Sequence, residues 1–107
     1  MYILQATAYA YSPHDNVPGD AWEDMSKHKT ISAAVSAYDS ERADMWERTG
    51  GTGWDGHYRI VEATRQGRTV LIRDPAERWF RPTADEPRNG NFYQPDELEL
   101  VYNPDPA

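Results

Sequence analysis

The sequence predicts an α+β domain, with one principal α-helix packed across a mostly antiparallel β-sheet of about four to five strands in the order β-α-β-β-β. Three stretches carry that expectation. Residues 29–51, KTISAAVSAYDSERADMWERTGG, set Ile31, Ala34, Val35, Tyr38, Met45 and Trp46 at the spacing of one apolar helical stripe. Residues 57–64 and 68–73 are short runs rich in β-branched residues, separated by Arg65-Gln66-Gly67, where glycine suits a hairpin turn. Residues 97–102 alternate, with Leu98, Leu100 and Tyr102 expected inward and Glu97 and Glu99 outward.

The helix has both of its ends written in the sequence. Thr30 can cap its first turn, and Gly50-Gly51 can take the left-handed turn that stops it. Arg42 falls near the middle of the apolar stripe. It must lay its stem on apolar surface and reach water, pair with a buried carboxylate, or mark a bend near Ser40. Ser32, Ser36 and Ser40 recur every four residues and are expected to face solvent or a close neighbour. Asp44 and Arg48 stand in the favourable order for a helical ion pair.

Before the helix, residues 2–11 contain no breaker and no charge, which predicts an interior strand whose alanines let the helix come close. Pro13, Pro18 and Gly19 then mark a loop. Asp20 followed by Glu23 has the form of a capping box, so one or two helical turns are expected over Ala21–Lys27. Residues 74–95 are interrupted by Pro75, Pro82, Pro87 and Pro95. A ragged hairpin around Arg88-Asn89-Gly90 is the reading there, and residues 103–107 read as a frayed tail. All 107 residues are expected to form one compact domain.

Composition narrows function more by exclusion than by motif. The chain has no cysteine, so disulfides and thiolate metal sites are ruled out. No apolar run approaches the about 18 residues of a membrane helix, and the amino terminus lacks the basic start of a signal peptide. A cytoplasmic protein is the expectation. The formal charge is −7, from 18 acidic and 11 basic residues, which disfavours direct binding to a phosphate backbone. His14, His28 and His57 are scattered, and no metal or cofactor motif is present. Gly50-Gly51-Thr52-Gly53 follows a helix instead of preceding one, so it lacks the geometry of a phosphate loop. No nucleophile elbow appears, and nothing selects any two carboxylates as an acid–base pair.

What stands out is a surplus of aromatic residues, several in loops, together with unevenly placed acids. Tyrosine, tryptophan and arginine dominate interface hot spots. The expected function is therefore a small acidic, non-catalytic protein-binding module. Its partner-binding candidates are Trp22, Asp39, Asp44, Glu47, Trp54, Trp79, Phe80, Glu97 and Glu99. The sharper form is an inhibitor from a phage or mobile element that masks a basic nucleic-acid-binding protein. That form requires Asp39, Asp44 and Glu47 to join Glu97 and Glu99 in one unpaired acidic patch. Two other classes stay open. One is a ligand-binding or enzymatic domain with a pocket at Trp54–His57. The other is a structural or assembly protein that pairs through a sheet edge. The chain itself is expected as a monomer or weak homodimer.

Overall fold

A computed structural model describes residues 1–7, 22–48, 50, 58–83 and 93–105. The fold is α+β, with one helix packed against antiparallel sheets. Among the described residues seven strands form two sheets where one was expected. β1 (Tyr2–Thr7), β2 (Trp22–His28), β3 (Tyr58–Thr64) and β4 (Gly67–Val70) make the first, in the order β2-β1-β3-β4. β5 (Ile72–Arg73), β6 (Trp79–Pro82) and β7 (Leu98–Tyr102) make the second, in that order. The helix α1 (Ile31–Arg48) lies between β2 and β3 in the chain and is the single α-helix among the described residues.

β1 is interior, flanked by β2 and β3. Its positions 8–11 lie outside the described residues. Strand pairing puts Tyr2, Leu4 and Ala6 on one face with Ile60 and Tyr58 of β3. That face meets Ala34, Val35 and Tyr38 of the helix, so Ala6 does sit where the helix approaches. Leu4, Ala34 and Ile60 are almost wholly buried there. Ile3, Gln5, Thr7 and Val61 are buried on the opposite face. An uncharged strand needs cover on both sides, and this one has it.

The helix begins as its sequence implies. Thr30 Oγ1 accepts the backbone N–H of Ala33 at 3.2 Å, and Gly50 stands at φ 67 just beyond the last turn. It runs unbroken through Ser40, which removes the bend as an account of Arg42. Arg42 is half-buried, with its guanidinium 5.5 Å from the Tyr38 ring centroid. Ser32, Ser36 and Ser40 are all exposed. Arg48 donates to the Asp44 main-chain carbonyl at 3.4 Å instead of pairing with its carboxylate.

Four expectations are corrected. Residues 22–28 form β2, not helical turns, because strand pairing with β1 outweighs a local capping signal: Trp22 lies opposite Thr7 and His28 opposite Tyr2. The β3–β4 turn has two residues, Arg65 and Gln66, and Gly67 at φ 132 opens β4. The run 68–73 is not one strand. Buried Leu71 donates to the Ile60 carbonyl at 2.9 Å, and the chain turns there from the first sheet into the second. The pairing of β6 with β7 shifts register between Trp79 and Phe80, so Tyr102 packs on the core beside Val101 while Leu100 is left 48% exposed. The hairpin expected around 88–90 lies outside the described residues.

The second sheet closes over the core through Trp79, whose ring meets Tyr38 edge-on at 4.8 Å. It is tied to the first sheet by charge. Arg81 of β6 donates twice to Glu62 of β3, each bond 2.6 Å, and once to Glu99 of β7 at 3.0 Å. Glu62 keeps only 13% of its side chain exposed. The hydrogen bonds from Arg81 hold its carboxyl below the ordinary value, against the opposing effect of burial.

A proton therefore binds Glu62 more readily in the unfolded chain than in the folded one. Its contribution to stability is present above the ordinary carboxylate value and is lost as pH falls through the lower folded value. Replacing Arg81 by Met leaves the Glu62 charge largely buried without its arginine partner, and is expected to cost about 2–4 kcal/mol at pH 7. Thermal melts from pH 7 to pH 3 check this. The wild type loses stability toward pH 3 faster than Glu62→Gln, and parallel curves would mean that Glu62 is not the titrating group.

Candidate binding face

The side chains of β5–β7 that turn away from the core form the clearest candidate site. Strand pairing aligns Ile72 with Phe80, Phe80 with Leu100 and Pro82 with Leu98. Direct neighbours in an antiparallel pair share a face, so these five residues make one apolar surface opposite Trp79 and Tyr102. None of them is fully buried. A hollow of about 420 Å³ opens on this surface, lined by Ile72, Phe80 and Leu98 with Pro75, Tyr93 and Pro95. Its volume is in the range of small-ligand sites and of pockets that take one large side chain.

Arg73, Asp74 and Arg78 supply its polar border. Asp74 organises the turn. It accepts the backbone N–H groups of Ala76 and Arg78 at 3.1 and 2.8 Å and the Arg78 guanidinium at 2.8 Å. Partial burial pushes its carboxyl upward, but those bonds to Arg78 and Ala76 hold it below the ordinary value. Arg78 also covers Phe80, 5.3 Å from the ring centroid. Arg73 pairs with Glu77 at 3.1 Å and lies 5.7 Å from the Tyr38 ring centroid. Glu77 takes φ 65, a left-handed conformation usually given to glycine, so this border is a fixed turn held under some backbone strain.

The residues picked out by sequence fall in several places. Phe80 lies in the hollow. Trp22 and Trp79 are buried, 7% and 2% exposed, and act as plugs instead of contact residues. Trp22 lies beneath Arg59, whose guanidinium is 4.2 Å from its ring centroid, and its Nε1 is buried without a partner among the described residues. Trp54 and the pocket expected at Trp54–His57 lie outside the described residues. Asp39, Asp44 and Glu47 are exposed on α1. Loss of solvent raises the Asp39 carboxyl above its ordinary value, with Arg73 and Arg42 opposing and Glu77 reinforcing.

Glu97 and Glu99 do not extend an unpaired patch. Glu97 accepts the Gln94 backbone N–H at 3.1 Å, closing a capping box over the 3-10 turn Pro95–Glu97, and Glu99 is bound to Arg81. The expected single acidic patch is corrected to exposed helix carboxylates plus two engaged glutamates. Trp46, read as part of the helix's buried stripe, is 58% exposed.

Two arrangements were not read from sequence. On the far face of the first sheet, Arg59 donates to Gln5 Oε1 and Gln5 Nε2 to Asp24, both at 2.8 Å. Arg68 reaches the same carboxylate at 3.1 and 3.2 Å. Hydrogen bonds from Gln5 and Arg68 lower the Asp24 carboxyl. Its partners lie 19 and 44 residues away in sequence, beyond any local pattern. Ser26 Oγ and His28 Nε2 are 2.7 Å apart on β2. No carboxylate orients the other ring nitrogen among the described residues, so the pair lacks the third group that activates such a hydroxyl. Among the described residues no three metal-ligating side chains cluster. Among the described residues no helix is long and apolar enough to cross a membrane.

Comparison with protein-family models, curated proteins and solved structures finds no match to this chain.

Two substitutions check this description. Trp22→Ala removes a buried plug and is expected to cost about 3–5 kcal/mol in denaturant melts. A change within about 0.5 kcal/mol would return Trp22 to the surface. Glu77→Gly relieves the left-handed strain while losing one exposed ion pair. A net gain of about 0.5 kcal/mol and a small rise in Tm are expected, and a lower Tm would contradict a strained turn.

Proposed function

We propose that this protein is a non-catalytic protein-binding module whose partner docks on the outer face of β5–β7. The observation that carries this reading is the hollow bounded by Ile72, Phe80, Leu98 and Tyr93, an apolar recess left open beside exposed Leu100. A recess of that kind accepts an anchoring apolar or aromatic side chain from a partner, with near-neutral contacts around it. The exposed Asp39, Asp44 and Glu47, in a chain of charge −7, favour the approach of a basic partner. The narrower reading, a phage or mobile-element inhibitor that masks a nucleic-acid-binding surface, keeps this charge as its sole support, because Glu99 is already engaged by Arg81. A second reading draws on the same hollow: its volume suits a small apolar ligand.

The test is an affinity capture from cell lysate with wild type and Leu98→Lys, at low and high salt, after thermal melts show both folded. A protein held by the wild type and lost by Leu98→Lys supports docking at the hollow. Retention by both removes it. Loss at high salt from wild type alone assigns part of the affinity to charge. A compound from a small-molecule screen that raises Tm in the wild type and not in Leu98→Lys would favour the second reading.

A further inference from the structure

We infer that the hollow recognises a short extended segment of a partner protein in which an apolar side chain stands beside a lysine or arginine. This rests on the docking reading above and specifies what the hollow requires of its occupant. Ile72, Phe80 and Leu98 form the floor, one residue from each strand of the second sheet. Leu98 pairs with Pro82, so Leu98 and neighbouring Pro95 lie toward the far end of β6, while Pro75 and Arg78 lie beside its beginning. The two ends offer different chemistry.

The Arg78 end offers hydrogen-bond donors. Asp74 has no acceptor capacity left: Oδ1 takes the backbone N–H groups of Ala76 and Arg78, and Oδ2 takes Nε and a terminal nitrogen of the Arg78 guanidinium at 2.8 and 2.7 Å. Arg78 spends two of its five N–H groups there and stays 45% exposed, held by Asp74 and against Phe80. The others are left for an acceptor. Asp74 already matches the charge of Arg78, so the acceptor that suits them is a neutral one, a main-chain carbonyl.

The other end offers a negative charge. Asp96 follows Pro95 in the 3-10 turn that leads into Leu98. Three residues per turn put Pro95 and Leu98 on one side and Asp96 at the rim beside them. Asp96 is exposed, and no cation pairs with it among the described residues. The border charges cancel otherwise, Arg73 against Glu77 and Arg78 against Asp74. A cation beside the anchor is thus favoured and a carboxylate is repelled, in the same sense as the charge of the whole chain. A small apolar ligand would fill the recess and use neither end. A peptide supplies an anchor, a carbonyl and a cation together, since an extended chain advances about 3.3 Å per residue and lysine or arginine stems span the remainder.

Backbone-amide NMR titrations at low salt test this with three capped tripeptides: phenylalanine between two lysines, phenylalanine between two glutamates, and glycine between two lysines. The first is expected to shift the amides of Ile72, Phe80 and Leu98 and to bind at least about tenfold more tightly than the second. The third is expected to leave those amides in place. Asp96→Asn is expected to weaken the first peptide about threefold, the scale of one exposed ion pair, whereas Glu47→Gln, the same charge change on the helix, leaves it nearly unchanged. If both phenylalanine peptides bind the hollow equally, or Asp96→Asn behaves as Glu47→Gln does, the inference is overturned and the docking reading stands. If neither phenylalanine peptide moves those amides, both fall. A glycine peptide that binds the hollow as tightly as the first overturns the role of the anchor.

Discussion

The joint between the two sheets depends on one guanidinium. Arg81 lies between Glu62 of the first sheet and Glu99 of the second, and its bonds to Glu62 are the shortest ion-pair contacts among the described residues. A carboxylate as covered as Glu62 would be a liability without it, because its lost hydration must be replaced by donors. Arg81 supplies two such donors, and Tyr2 adds a hydrogen bond of its own. The geometry has a consequence for recognition. With Arg81 held from the core side, Trp79 on the same side packs on Tyr38, and Phe80 on the alternate position is turned outward into the hollow. The site is thus positioned by the interaction that closes the core.

Much of the helix was legible because its signals are local. Thr30, the stripe through Tyr38 and the glycine at 50 each act within a turn or two of their own position, and the structure places each as expected. β2 was not legible for the opposite reason. Asp20 and Glu23 offer a capping pattern within four residues, whereas the strand is specified by seven-residue pairing with β1, some twenty residues earlier. The same limit hid the division into two sheets. Nothing in Arg68–Arg73 marks Leu71 as a corner, and its role follows from the Ile60 carbonyl it meets across the sheet.

The aromatic surplus illustrates a further limit. Trp22 was expected in a short helical turn and Trp79 in a proline-interrupted stretch, yet both are strand residues turned inward. Sequence alternation should have separated Trp79 from Phe80, since adjacent strand positions face opposite ways. Only the second of that pair remains at the surface. The acidic patch failed on partnership. Arginine outnumbers lysine nine to two, and a planar fork that binds carboxylates in pairs tends to find them within the same chain.

That preference divides the molecule electrically. Asp24, Glu62, Asp74, Glu77 and Glu99 all have arginine partners, while Asp39, Asp44 and Glu47 stand exposed on the helix. Net charge therefore overstates how acidic the outer face of β5–β7 is. Long-range attraction set by the whole chain governs the rate at which a partner arrives, whereas affinity at a largely apolar face comes from area and fit. On the proposed function, a basic partner would be gathered by the helix and retained by the second sheet. The two surfaces would then separate under salt, which slows arrival far more than it weakens the hold of Phe80 and Leu98 on a buried side chain.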